Sequence, residues 1–386
     1  MTDSEEPMSS VDAPAQNLPD IGGAPTAAPR KKRIDTFFKT LAAVNGSDIH
    51  IKADAIPRIR VGGELRTLKT DPLAPHEVDA MAEEMLDADQ LKDFRHHGTI
   101  DVAYAMTKAD RFRVNIFRQR GTTSIVARRI NPRIPNYTEL RLPEIFSKIA
   151  EREQGLIILA GITGSGKSTT IAAMIEQIND TKNVHIVTIE DPIEFSYMDK
   201  KAFINQREIG LDCDTYEHGI RSMMRENPDV ILIGEMRDRM TFQAAIQAAE
   251  TGHLVFSTIH SSSAPGAITR LLELFPKEQH ANMRQALSAN LVAIAFQKLV
   301  PALDPKVKRV PVVEVMLNSP SVKKFILEER ENELGGVIRN EKGTGSIDFN
   351  DMLAELVTKE IISSKEALAT SPNPEELRMR MKGIKT

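Results

Sequence analysis

The residues best equipped for chemistry form one run near the middle of the chain. Gly161-Ile162-Thr163-Gly164-Ser165-Gly166-Lys167-Ser168 fits the pattern G-x4-G-K-[ST]. Glycines let the backbone curl until successive N–H groups point at phosphate oxygens, and a following helix adds its positive N-terminal end. Lys167 is placed to reach the β- and γ-phosphates of ATP, and Ser168 to put its hydroxyl on Mg²⁺. Gly161 to Ser168, with Thr169 at the head of the next helix, is therefore the candidate ATP-binding segment. Two apolar runs end in acids. Val184–Ile189 leads into Glu190 and Asp191, where a carboxylate can polarise an attacking water or simply serve as a turn or N-cap acid. Val230–Ile233 leads through Gly234 into Glu235, the acid expected on the Mg²⁺ side, with Glu rather than Asp favouring a contact through water. A fourth run, Leu254–Ile259, is bracketed by His253 and His260. Each is either an ordinary core or surface histidine or an imidazole that hydrogen-bonds the γ-phosphate.

These groups need strands to carry them. Gly155–Ala160 reads as a buried strand directly before the glycine loop, and Thr169–Ile178 as a helix directly after it. In a parallel sheet the C-terminal ends of strands line the ligand crevice, and Glu190 and Asp191 fall at such an end. Upstream, Ile34, Phe37, Phe38, Leu41 and Val44 form a helical stripe, and short strands are expected at 48–52, 58–61 and 64–68 with a Gly62-Gly63 turn. A helical pair spans about 76–97 with Gly98 as its stop, and strands follow at 100–106, 111–118 and 123–130. Residues 34–130 thus read as a small α/β domain. Asn131–Asn136, with Pro132 and Pro135, reads as a stiff connector, and residues after about Leu142 as an α/β fold with a largely parallel sheet.

Composition narrows the function. The 386 residues carry 50 basic against 54 acidic side chains, a net charge of −4, which argues against a protein that coats nucleic acid. Absence of tryptophan and only four tyrosines leave little stacking surface for single strands. The single cysteine, Cys213, excludes an intrachain disulfide and a multi-cysteine zinc site, and a reduced chain fits the cytoplasm. No apolar run approaches the roughly 18–20 residues of a bilayer span, so a membrane connection is expected through partners only. Residues 1–33 read as a disordered tail, with five prolines in the first 29 residues and Asp3, Glu5, Glu6, Asp12 and Asp20 ahead of the basic knot Arg30-Lys31-Lys32-Arg33. That knot is either an electrostatic contact with lipid or a partner, or a solvated junction.

Four ordered boxes then resemble one family. The glycine loop, Thr188–Glu194, Gly234–Asp238 and Ala249–His253 are similar to those of the type IV pilus retraction (twitching-motility) ATPases, the PilT/PilU family of the type II/IV secretion ATPases. Ser47–His50, Arg111–Asn115 and Asn205–Glu208 extend the resemblance, which runs from about Ile34 to the C-terminus. It implies a PAS-like N-terminal domain (34–130), a linker (131–141), a RecA-like P-loop NTPase core (142–318) and a C-terminal helical region (319–386). It also implies a six-membered ring acting on an inner-membrane pilus platform protein, Glu190 as catalytic glutamate with Lys167 and Glu235, and a histidine box at His253 and His260. Arg111, Arg113 and Arg207 become candidates to reach nucleotide across domain or subunit boundaries; otherwise they are ordinary surface arginines. Gln297–Pro301 and Glu375–Arg380 look like the accessory PilU branch. Ser321–Glu328 keeps the apolar spacing of the family's retraction helix but lacks its two arginines and asparagine. Those features imply an alternative, a partner-dependent accessory subunit beside a paralogous retraction ATPase. A pilus-assembly or type II secretion ATPase is the other rival, and the lone cysteine argues against its four-cysteine metal site.

Overall fold

The computed structural model describes residues 32–107, 110–131 and 133–383. Most of the proline-rich tail, together with Arg30, Lys31 and Pro132 of the connector, lies outside the described residues. Both described residues of the basic knot have partners. Lys32 sits over the Tyr104 ring, and Arg33 pairs with Glu77.

The first part builds one antiparallel sheet with helices on one side. The expected helical stripe forms α1 (Ile34–Ala43), whose Ile34, Phe38 and Leu41 are buried. Strands β1 (Asp48–Lys52), β2 (Arg58–Val61) and β3 (Glu64–Thr67) follow, then α2 (Pro75–Met85) and α3 (Ala88–His97). Gly98 caps α3 at φ 74°, a left-handed conformation that glycine adopts without strain. Strands β4 (Thr99–Ala105), β5 (Arg111–Gln119) and β6 (Thr122–Arg129) complete the sheet in the order β3-β2-β1-β6-β5-β4. Alternation decides which face is covered. Ile49, Ile51, Phe112, Val114, Ile116, Ile125 and Ala127 point to the helices and are buried. Phe38 stacks on Phe112 at 4.1 Å in that core. His50, Arg113, Asn115 and Val126 point the other way.

The second part is a three-layer α/β unit. After α4 (Tyr137–Leu140) and α5 (Ile145–Ala150) come β7 (Gly155–Ala160), α6 (Lys167–Thr181), β8 (His185–Glu190), β9 (Phe203–Glu208), α7 (Tyr216–Met223), β10 (Val230–Ile233), α8 (Arg239–Glu250), β11 (Leu254–Ile259), α9 (Ala264–Leu272), α10 (His280–Asn290), β12 (Leu291–Pro301) and β13 (Arg309–Leu317). Strand order is β13-β12-β7-β11-β10-β8-β9, parallel throughout except for the β12–β13 hairpin. Every residue of β7, β10 and β11 is buried, as a parallel sheet covered on both faces requires. Helices α11 (Pro320–Leu327), α12 (Leu334–Asn340), α13 (Phe349–Thr358), α14 (Ser364–Thr370) and α15 (Pro374–Met381) close the chain against β13 and β12. Among the described residues no helix is long and apolar enough to cross a membrane.

Candidate nucleotide site

Register brings the expected groups to one level. Ile259 pairs with Ala160, and Ile233 with both Ser257 and Ile189, so the four strands β7, β11, β10 and β8 end together. A cleft of 420 Å³ opens there, lined by the glycine loop, Ser168 and Thr169, Glu190, Asp191, Glu194, Glu235, Arg237, His260 and Arg309 among others. The loop is tightly built. Gly161 (φ +146°), Gly164 (φ +77°) and Gly166 (φ +88°) all hold conformations that other residues resist. A Cβ on Gly161 would lie 2.5 Å from the Gln297 carbonyl oxygen, and one on Gly166 2.8 Å from Gln297 Nε2. Gln297 on β12 is buried and ties the loop from behind. Its Nε2 donates to the Ser165 carbonyl at 2.8 Å, and its Oε1 accepts from Thr170 Oγ1 at 2.9 Å. Lys167 Nζ donates to the loop's own carbonyls, Gly161 O at 2.8 Å and Ile162 O at 3.1 Å. Burial lowers the Lys167 pKa, and Glu235 and Glu194 oppose that shift.

The carboxylates differ in setting. Glu190, at the end of β8, is 9% exposed, and burial pushes its pKa up to about 7 despite hydrogen bonds from Thr188 Oγ1 (2.7 Å) and Gln206 Nε2 (3.3 Å). A carboxyl poised there suits a general base working near neutrality. Glu235 has two close partners: Arg237 Nε donates to its Oε2 at 2.7 Å, and His260 Nε2 lies 3.1 Å from its Oε1. Arg237 Nη1 also reaches Asp191 at 3.5 Å.

Mg²⁺ fits this donor set. Among the described residues no group of three or more His, Cys, Asp or Glu could hold a metal alone. Mg²⁺ in phosphate sites takes one or two protein oxygens and completes its shell with phosphates and water, which Ser168 and Glu235 would permit. The buried Ser165 Oγ, which has no partner, is a further polar atom in the loop with unmet hydrogen-bonding capacity. Glu190, Asp191, Glu194 and Glu235 face only Lys167, Arg237 and Arg309 as full cations, so a triphosphate needs added positive charge here.

Four expected nucleotide contacts are not in the cleft. His253 stands at the opposite end of β11, where its Nδ1 lies 2.9 Å from Ala248 O and 3.1 Å from Thr251 Oγ1. Seven residues of extended chain, about 20 Å, separate it from His260, so the two cannot share one phosphate. Arg207 is bound to Glu226 (2.7 Å), Ser222 (2.8 Å) and the Asp212 carbonyl (3.3 Å). Arg113 Nε approaches Glu208 Oε1 at 4.0 Å across the two units, and Arg111 adds a longer-range pull on the same carboxylate. Burial outweighs both arginines and raises the Glu208 pKa. Gln297, noted in the sequence only as part of a branch-like segment, and Arg309 are nucleotide-site candidates that sequence reasoning did not identify as such. The signal for Gln297 was a lone amide inside the apolar stretch Leu291–Val300.

A family model described as Type II/IV secretion system protein matches residues 24–377. The type IV pilus ATPase PilU of Pseudomonas aeruginosa is 36% identical over 348 residues, covering 90% of this chain and 91% of that protein. The type IV pilus retraction ATPase PilT of the same organism is 38% identical over 334 residues, covering 86% of this chain and 96% of its own. A crystal structure of the pilus retraction motor PilT with bound ADP superposes with a TM-score of 0.81 at 36% identity, over 90% of this chain and 99% of that one.

Proposed function

The chain belongs to the type II/IV secretion system protein family and within it to the PilT/PilU ATPases, and from that premise we propose a motor that couples ATP hydrolysis to type IV pilus retraction. The chain is an ATPase; the assignment of roles to residues is our reading. Backbone N–H groups of Gly164 to Lys167 cradle the phosphates, and Lys167 swings from its loop carbonyls to the β- and γ-phosphates. Ser168 and Glu235 would hold Mg²⁺, which would supply charge neutralisation for the phosphates when bound. Glu190 accepts the proton of the attacking water. Its position at the strand end beside the loop, buried and with a pKa near 7, is the observation that carries the reading.

The cleft's excess of carboxylates favours arginines supplied from elsewhere, and Arg113 and Arg111 face the cleft's unit from the first sheet. Closure of one unit on the other, or of neighbours in a six-membered ring, would deliver them. We place the ring in the cytoplasm, against an inner-membrane platform protein.

The accessory reading has one specific support. Helix α11 carries Lys323, Lys324 and Leu327 where the retraction motif resembled by this segment has arginine, asparagine and arginine, and keeps the final acid as Glu328 just past its end. Mg-ATP turnover per chain against protein concentration, with Glu190→Gln as blank, separates the two. Turnover that rises with assembly and vanishes in the variant supports a self-sufficient motor. No turnover above the blank, with ATP still bound, assigns the chain to a partner-dependent role.

A further inference from the structure

We propose that the helix-free face of the first sheet carries a second binding site, for a small organic anion with a flat apolar body. A cleft of 610 Å³ lies there, larger than the nucleotide cleft and sharing no residue with it. Its floor comes from two adjacent cross-strand rows. One row runs Thr67, Arg58, His50, Val126 from β3 to β6; the next runs Lys52, Ser124, Phe117 from β1 to β5. Leu65, Ile56 and Pro72 extend the apolar wall.

Three observations point to a ligand rather than to a plain surface. First, His50 Nε2 and Ser124 Oγ are buried without any hydrogen-bond partner, and Ser124 is only 3% exposed. Buried polar atoms are nearly always paired, so two orphans in one floor leave a demand that a bound polar group would meet. Second, the cations on β1, β2 and β6 of this face divide into two sets. Arg60 and Arg128 are both committed to Asp48, at 3.7 and 2.9 Å. Lys52 and Arg58, which line the cleft, have no ion pair among the described residues and stand against a single carboxylate, Asp54. Third, Phe117, Leu65, Ile56 and Val126 surround the polar floor with apolar surface. Unpaired cations at the rim, orphan polar atoms in the floor and an aromatic wall select an anionic head on an apolar plate. The volume falls in the range of small-molecule sites.

The test uses the full chain and 8-anilinonaphthalene-1-sulfonate, an aromatic sulfonate of this class, followed by fluorescence. The wild type should bind saturably with one probe per chain at this site. The double variant Lys52→Glu/Arg58→Glu, whose changes are on exposed side chains, should weaken that binding at least tenfold. Its melting temperature and ATP turnover should stay at the wild-type values. Ser124→Leu, which fills the floor, should remove the site if it folds. Equal probe binding by wild type and the charge variant would overturn the proposal. So would probe binding that disappears as protein concentration rises, because that assigns the face to a second copy of the chain.

Discussion

Gln297 offers the sharpest check on how the loop is held. Replacing it with methionine keeps length and volume but removes both hydrogen bonds. The Ser165 carbonyl then loses its 2.8 Å donor and Thr170 its 2.9 Å acceptor, both in a buried setting. An unsatisfied buried group costs about 1–3 kcal/mol, so the pair sums to roughly 2–4 kcal/mol after partial relaxation. If the strut mainly preorganises the loop, about half or more of that loss appears in nucleotide binding. At about 1.4 kcal/mol per tenfold, KM for ATP should rise about tenfold or more. Gln297 touches no reacting atom, so kcat at saturating ATP should stay within about threefold. The assay is steady-state turnover against ATP concentration, paired with thermal unfolding with and without ADP. Unchanged KM with a lowered melting temperature would refute the reasoning, because the two bonds would then support only the fold. Gln297→Glu is a useful companion. It can still accept from Thr170 but sets a carboxylate against the Ser165 carbonyl, so it should also raise KM.

Three further outcomes follow from named geometry. Turnover should climb with pH through an apparent pKa near 7, because the Glu190 pKa is raised by burial and only its ionised form accepts a proton; a flat profile from pH 6 to 8 in saturating Mg-ATP would exclude it as the base. The same shift has the opposite sign for stability: Glu190's contribution is fullest below its unfolded value of 4.5 and is lost as pH rises through about 7. Gly161→Ala should weaken nucleotide binding about tenfold or more, since its methyl would sit 2.5 Å from a backbone oxygen at φ +146°; fluorescent-nucleotide titration reads this directly. Arg113→Ala should cut turnover about a hundredfold or more while leaving ADP affinity nearly unchanged, if the guanidinium leaves Glu208 for the transition state; unchanged turnover would reduce Arg113 to a partner of Glu208.

What could be read ahead of the fold, and what could not, follows from how each group is positioned. The glycine loop is contiguous, and its chemistry needs consecutive N–H groups, so eight neighbouring letters describe it. Glu190, Glu235 and His260 were legible because each follows an apolar run, and a parallel sheet collects strand ends on one edge. His253, named for flanking β11 and for the family's histidine box, precedes its strand and so stands on the far edge of the sheet. Strand β9 escaped notice for a related reason. As an edge strand it has only two apolar residues, Phe203 and Ile204, ahead of four polar ones, and lacks the buried run that marks β7 or β11. Gln297 and Arg309 lie more than a hundred residues beyond the loop, and only the placement of β12 beside β7 brings them to it. Their roles depend on strand order, which no local pattern encodes. Arg207 shows the limit from the other side. Its residue type suited a phosphate, but Glu226, Ser222 and the Asp212 carbonyl surround it, so within one chain its charge is already satisfied. The acidic cleft is lined by more carboxylates than full cations, and Arg113 and Arg111 stand on the first sheet facing its unit. On the reading proposed above, closure of the units would bring that charge to the phosphates.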